Sequence, residues 1–506
     1  MLNYKGDIFM QQVLNIIKDE TLNYKQQVLQ LAYEAENTLD VLKIDEETKE
    51  LLNRNIICSM FEGNAPYRPR YIIPNYELLM KNGCEFLDLD VPTDIWEATN
   101  TLLIFYKHVP SITSYPVYLG NLDELLEPFV KDEEESYKAI KLFLKHIDRT
   151  LTDSFVHANL GPIDSKAGRM ILKAMKELQC AVPNLTVKYD KELTSKEFIN
   201  LCADTALATA KPSFANHKMD IKDFGTEKYA LASCYNGFII GGGGHTLCRL
   251  MISELAKESD SIEDFIENKI PHVSLKLLDY IDERVRFLLQ ESAFFKSNFL
   301  VKEGFIKEEL FTGMFGMVGL AEAVNHLLDA KDQKDRFGHS KKADELGLRI
   351  IEKINEVVNS YKSKYTTCFD CRHVMHAQVG MNCDHGISPG CRIPVGEEPE
   401  LFKHILQSAP FHKYFFNGIG DIFVFEDTYK NNLEAVVNVV DGAFNSGIRY
   451  ISVYSDSCDV VRVTGYLVKK SEVAQLEEGK AVKNNATVFG MNQKYSGKAF
   501  DRRLRD

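Results

Sequence analysis

The sequence predicts an α/β protein, and three observations carry that reading. From about residue 150 onward, amphipathic helical patterns alternate with short apolar runs. One such pattern, "NLEAVVNVVDGAFNSG" (432–447), closes on Gly447 as a C-terminal cap and passes straight into the strand-like "IRYISVYS". No internal repeat, low-complexity tract or charged linker divides the chain. A length of 506 residues would suggest about three domains, yet without dividers one large domain is expected.

Residues 1–150 read as a mostly helical part packing on the remainder of the chain. "DIFMQQVLNIIKDETLNYKQQVLQLAYEAENTL" carries apolar residues at i, i+3, i+4 spacing. "DEEESYKAIKLFLKHI" does so again, with acids in its first turn where the helix dipole favours them. Between them "GNAPYRPRYIIPNYELL" holds three prolines and reads as a surface connection or part of a pocket wall. Residues 151–506 read as the α/β part. There "ADELGLRIIEKINEVVNSY" places Leu346, Ile350, Ile354, Val357, Val358 and Tyr361 on one helix face.

Composition narrows the function classes. The chain is 45% hydrophobic and 26% charged, enough to bury a large core. Its net charge is −13, and no basic block interleaved with aromatics appears, which argues against a nucleic-acid partner. No apolar run approaches the ~20 residues of a membrane span; the best, "MFGMVGLAEAV", is too short. No signal-peptide pattern opens the sequence, and its 11 cysteines are odd in number and scattered. Both features lead to the expectation of a reducing cytoplasm and free thiols.

Three constellations could carry chemistry. The first is "LASCYNGFIIGGGGHTLCRL" (231–250), with Gly241 to Gly244 in a row. A phosphate loop fails on spacing: no GxxxxGK[ST] is present, and Thr246 stands where GxGxxG needs glycine. What remains is either a tight turn before a helix, or glycines that let a loop bearing Cys234 press into a crowded interior. The second is "CFDCRHVMHAQVGMNCDHGISPGC", with Cys368, Cys371, Cys383 and Cys391 at C-x2-C-x11-C-x7-C spacing. The first pair has zinc-like spacing and the second does not. In the adjoining "GISPGCRIPVGEEP", Arg392 is a candidate to meet an anion.

The third is "VVRVTGYLVKK" (460–470), which keeps Gly465 among strong strand formers. Glycine weakens a strand, so its presence needs a reason. A turn requiring positive φ is one. The other is radical chemistry. Loss of a hydrogen atom from a glycine Cα leaves a carbon that prefers planarity, between an electron-donating nitrogen and an electron-withdrawing carbonyl. A side chain would crowd that geometry, and an apolar wrapping would shield it from water and oxygen.

Arg462-Val463-Thr464-Gly465-Tyr466 resembles the R-V-x-G-[YF] signature of glycyl radical enzymes, 41 residues from the C-terminus. Those enzymes carry a thiyl-forming cysteine on a mid-chain loop, and Cys234 stands 231 residues earlier. Together with "GMFGMVGLAEAVNHLL", "GISPGCRIPVGEEP" and "VTGYLVKKSEVAQLEEGK", these motifs are similar to the YjjI-like subfamily from about residue 55 onward. The resemblance implies a ten-stranded barrel, built as two five-stranded half-barrels inside a layer of helices. The cysteine loop (about 231–250) and the glycine region (about 450–480) would meet inside it. It also implies a radical SAM activating enzyme as partner, a glycyl radical on Gly465 as the sole cofactor, oxygen sensitivity, anaerobic metabolism and a homodimer. Gly465 and Cys234 would be the catalytic pair, with Arg462, Val463 and Tyr466 forming the radical motif.

Departures from the family pattern bear on the reaction. Pyruvate formate-lyases use two adjacent cysteines; here Ser233 precedes Cys234 and Tyr235 follows. Eliminating members place a glutamate base two residues after the cysteine, where this chain has Asn236. Asn cannot take a proton, so the usual base-assisted elimination is not expected. The expected substrate is a small polar molecule, with Asn236, Arg392, His157 and Asn159, and further Glu62 and Tyr67, as candidates for its pocket. An anaerobic ribonucleotide reductase-like enzyme is the alternative, although no N-terminal nucleotide-binding module is recognisable. A zinc or thiol protein using Cys368–Cys391 is the alternative from another class.

Overall fold

The computed structural model describes residues 2–60, 62–112, 115–153, 155–233, 235–377, 386–455, 457–463, 466–484 and 486–487. Fourteen strands lie among the described residues. In chain order they are β1 (Ile57–Ser59), β2 (Tyr71–Ile72), β3 (His157–Leu160), β4 (Asn184–Tyr189), β5 (Ser213–Asn216), β6 (Tyr229–Ala232) and β7 (Asn236–Ile239), then β8 (Gly243–Met251), β9 (Phe311–Val318), β10 (Val374–Ala377), β11 (Asp421–Phe425), β12 (Tyr450–Ser455), β13 (Val460–Arg462) and β14 (Leu467–Lys469).

Ten of these build two five-stranded sheets. The first has the order β1-β8-β9-β10, with β2 also on β8; the second has the order β11-β12-β5-β4-β3. In the first, β8, β9 and β10 are parallel, while β1 and β2 run antiparallel to β8. In the second, β3, β4 and β5 are parallel, and so are β11 and β12, the two groups meeting antiparallel at β12 and β5. No strand of one sheet pairs with a strand of the other among the described residues. Strand pairing among the described residues thus gives two separate sheets of five, and does not itself show the expected ten-stranded barrel.

The sequence explains why these strands are parallel. The helix Lys166–Leu178 crosses from β3 to β4, and the helix Lys196–Thr209 from β4 to β5. Each starts on a serine whose hydroxyl accepts from the first turn, Ser165 from Gly168 N–H and Ser195 from Phe198 N–H. Helices on the faces leave the strands buried on both sides, so β4, β8 and β9 are buried along their whole length.

Several local expectations meet their structure here. The helical pattern at the N-terminus divides into Leu2–Lys18 and Tyr24–Asn37, because Asn23 and Gln26 form a reciprocal capping box that starts a new helix. The prolines of 63–79 bound β2, so part of that stretch joins the first sheet. The patterns at 132–147, 343–361 and 432–447 are the helices Glu133–Thr150, Lys341–Ser360 and Leu433–Asn445. Gly447 lies just past the last of these with φ +107°.

The four-glycine run leads into β8, not into a helix. The reason is close approach of backbone to backbone. A Cβ on Gly242 would lie 2.1 Å from the Leu310 carbonyl oxygen, and one on Gly243 2.0 Å from that of Tyr71. Gly244 and Gly243 pair with Tyr71 and Ile72, so only bare backbone lets β2 close onto the start of β8.

Candidate active site

Cys234 and Gly465 themselves lie outside the described residues. Ser233 and Tyr235 around the cysteine, and Val463 and Tyr466 around the glycine, are described, and each set is anchored by tertiary hydrogen bonds and packing.

The cysteine loop is the tip of the β6–β7 hairpin, closed by the pair Ala232–Asn236. Ser233, just before the cysteine, has the left-handed φ of +55°, a conformation that tertiary contacts must enforce on a serine. Its N–H donates to the Val117 carbonyl at 3.0 Å. Its carbonyl accepts from Nδ1 of His157 on β3. Burial pushes His157 down to about 3, with Arg462 and Lys211 acting in the same direction, so the ring is neutral. A carbonyl only accepts, so Nδ1 carries the proton and Nε2 must accept from Thr186 Oγ1 at 2.8 Å. The Thr186 hydroxyl, having donated, is left to accept from Tyr450 OH at 3.0 Å. A directed chain thus runs from Tyr450 through Thr186 and His157 to the backbone before the cysteine. Asn159, also on β3, grips Leu231 of β6 through both backbone groups, at 2.8 Å each.

Tyr235, just after the cysteine, is tied to the other sheet. Its hydroxyl donates to the carbonyl of Ala377, the last residue of β10. Its ring meets His376 (centroids 5.2 Å apart) and Tyr450 (5.8 Å), and the guanidinium of Arg392 sits 5.8 Å from its centroid. Gly420 closes the other side: with φ +63°, a Cβ there would fall 2.2 Å from the Tyr235 ring. Ser233 is therefore held by the second sheet and Tyr235 by the first.

The glycine lies in the connection of a second hairpin. Val460, Val461 and Arg462 pair with Lys469, Val468 and Leu467, and Val463 N–H donates to the Tyr466 carbonyl at 3.1 Å. The described part of the apolar stretch 460–470 is thus two short strands and the start of a helix at Lys470. Arg462 is fully buried and donates to Asn184 Oδ1 and to the Ala210 carbonyl, both at 3.0 Å. Asn184 is the β4 residue paired with His157. The two hairpins are therefore anchored on adjacent positions of adjacent strands. Val463 and Tyr466 also share one buried cluster with Tyr235, Leu231 and Tyr450.

The remaining sequence candidates separate by what their polar atoms do. His157 and Asn159 spend theirs on the loop backbone. Glu62 lies in a different buried cluster, accepting from Arg70 (3.0 Å), Arg284 (3.1 Å) and Leu247 N–H (3.0 Å). Burial alone would raise it, but the two guanidinium groups hold it below the usual carboxylate range. Tyr67 is 49% exposed and does not belong to this interior. Asn236 is buried with its Oδ1 unpartnered, and Arg392 is buried with all three guanidinium nitrogens unpartnered.

Of the cysteine cluster, Cys383 lies outside the described residues. Among the described residues no three metal-ligating groups come together. Burial pushes the Cys368 thiol up to about 11 and that of Cys391 well above its ordinary value, which favours thiols over the thiolates a metal needs. Cys202 and Cys248, the thiols nearest Cys234 along the chain, are buried in the helix Lys196–Thr209 and in β8. Residues that no motif pointed to are Thr186, Asn184, Tyr450 and Gly420. They come from strands and a loop far apart in the chain, so no local spacing marks them.

Comparison with known proteins gives the class first. The fold matches the anaerobic ribonucleotide reductase from Thermotoga maritima in complex with dATP and CTP, with a TM-score of 0.69 at 11% identity, covering 93% of this chain and 89% of that one. It also matches the glycerol-bound B12-independent glycerol dehydratase from Clostridium butyricum, with a TM-score of 0.64 at 10% identity over 97% and 88%. At such identities the likeness is one of fold, that of the glycyl radical enzymes. The sequence then specifies the branch. Residues 22–505 match the family described as glycyl radical enzyme YjjI-like, and the chain belongs to that family. A protein of Haemophilus influenzae named "Uncharacterized protein" is 46% identical over 503 residues, 98% of each chain.

Proposed function

We propose that Gly465 stores an unpaired electron and that Cys234 relays it to a small polar substrate under anaerobic conditions. The observation that carries this reading is the convergence of the two hairpins: the residues flanking Cys234 and Gly465 share one buried cluster and are anchored on paired residues of β3 and β4. The radical supplies the means of breaking an unactivated C–H bond: the Gly465 Cα regains a hydrogen atom from the Cys234 thiol, and the resulting thiyl takes one from a substrate carbon. The chain's own task is to keep two loops fixed and dry. Arg462 and the valines around it bury the glycine hairpin. His157, Asn159 and Tyr235 hold the cysteine loop by both ends, which fixes the distance and angle of hydrogen transfer. The two five-stranded sheets would stand as half-barrels around these loops.

The reading includes a radical SAM activating enzyme, which would generate the radical, a homodimeric state, and a cytoplasmic location. Unpartnered polar groups at Asn236 and Arg392 support a polar substrate. Asn236 has no proton-accepting base to offer, which disfavours the usual elimination of diols. The likeness to a ribonucleotide reductase is one of fold and carries no nucleotide substrate to this chain.

The test is anaerobic activation with a radical SAM activating enzyme, followed by electron paramagnetic resonance. A carbon-centred backbone radical is expected, and air should then cut the chain at that residue and release a fragment of about 41 residues. Gly465→Ala should give neither signal nor cleavage. Activated wild-type protein that shows no radical and survives air uncut would overturn the assignment and leave Gly465 a turn residue.

A further inference from the structure

We propose that Arg392 is an anion anchor, and that the substrate carries a carboxylate or phosphate group which its guanidinium receives. The substrate part of this statement rests on the proposed radical function; the anion site itself does not.

Arg392 carries a charge that no hydrogen bond balances. Arg392 is 4% exposed, and its Nε, Nη1 and Nη2 are all buried without a hydrogen-bond partner. A buried cation left so is strongly disfavoured, and buried arginines are ordinarily paired. The neighbours do not pair it. The Tyr235 ring, 5.8 Å away, offers only a weak cation–π contact. Asp421 feels the charge of Arg392 but is committed elsewhere: its Oδ2 accepts from Ser408 Oγ and faces His404 Nε2 at 3.5 Å. No carboxylate of a described residue forms an ion pair with Arg392. His376, on the other side of Tyr235, is kept neutral, first by burial and then by Arg70 and Arg392.

The position matters as much as the charge. Arg392 lies beyond the turn at Pro389, which bridges to Val318 at the end of β9. Its guanidinium lies against the residue that comes after Cys234 in the chain. Five N–H donors in a planar fork match the two oxygens of a carboxylate or phosphate. An anion seated there would supply the missing charge and fix a small substrate beside the cysteine loop.

The site is testable in the unactivated full-length protein. Inorganic phosphate and acetate are titrated separately at constant ionic strength, and binding is followed by thermal unfolding and calorimetry. One of the two oxyanions should bind saturably and raise the unfolding temperature, and which one binds more tightly distinguishes a phosphate ester from a carboxylic acid as the source of the group. Arg392→Gln should weaken binding at least tenfold, while the empty variant unfolds at or above the wild-type temperature because an unpaired buried charge is gone. Arg392→Lys, which keeps the charge and loses the fork, should bind with intermediate affinity. The proposal fails if neither oxyanion shifts unfolding, if Arg392→Gln binds as wild type does, or if both variants are less stable than wild type without any ligand. None of these readouts needs a radical, so a missing radical signal would remove the glycyl assignment and leave the anion site standing.

Discussion

Two buried regions of this molecule treat charge in opposite ways. Around Glu62, one carboxylate is shared by Arg70 and Arg284, and Arg284 donates further to Thr246, Tyr280 and the Gly63 carbonyl. Around Tyr235, the guanidinium of Arg392 and the Oδ1 of Asn236 have no partner. The first region closes on itself and joins the N-terminal part to β8. The second keeps polar groups open around Tyr235. A chain that can pair two buried arginines with one carboxylate has the means to pair a third, and the difference points to a partner arriving from outside.

If the two regions differ in this way, substitutions in the open one should cost activity and those in the closed one stability. Cys234→Ser should retain the activated glycine's radical yet lose turnover altogether, because a hydroxyl hydrogen is far harder to remove than a thiol hydrogen. A substrate-independent measurement serves: in heavy water, exchange of the Gly465 α-hydrogen through the thiol should collapse the hyperfine doublet of the wild-type signal and leave that of the variant. Exchange in the variant would move the relay to Cys202 or Cys248.

Next in size is Glu62→Gln, which removes the carboxylate between two buried guanidinium groups. It should lower stability by about 3–5 kcal/mol in denaturant unfolding. A loss under about 1 kcal/mol would mean that the cluster is not a closed, mutually satisfied unit.

Gly420→Ala should come third, at about 2–4 kcal/mol, from a methyl forced into the Tyr235 ring and a left-handed backbone. A neutral result would show that Tyr235 can yield, and with it the clamp on the cysteine loop.

At neutral pH the smallest effect is that of His157, which shows only on acidification. His157 is lowered in the folded protein to about 3, against about 6.5 when unfolded. The unfolded chain binds the proton first, so the contribution of this ring is whole above pH 6.5 and is lost as pH falls toward 3. Replacing it with Gln should flatten the acid loss of stability by about 1.4 kcal/mol per pH unit between about pH 6 and 4. Identical slopes in the two proteins would mean that the ring is not held neutral.

Some of this was legible in the sequence because it depends on neighbours in the chain. Helical periodicity marked Lys341–Ser360 and Leu433–Asn445, and the terminal glycine was visible in the spacing that precedes β12. The motif around Gly465 and the Ser-Cys-Tyr-Asn turn marked the two loops, since their chemistry needs particular residue types at one place. Apolar content marked 460–470 as buried, but not as a hairpin, because strand formers look alike on either side of a turn. The glycine run suggested a tight turn before a helix, but it opens a strand, because what demands bare glycine there is the distant backbone of Tyr71 and Leu310.

The sequence by itself determined the α/β class and the family, and it marked the two residues proposed to react, because each depends on local pattern or on residue type. Only the tertiary structure decided that His157 and Asn159 hold the loop while Glu62 belongs elsewhere, and that Arg392 stands unpaired beside Tyr235. Whether a buried polar group is satisfied depends on what strands hundreds of residues apart bring against it, and no spacing along the chain records that.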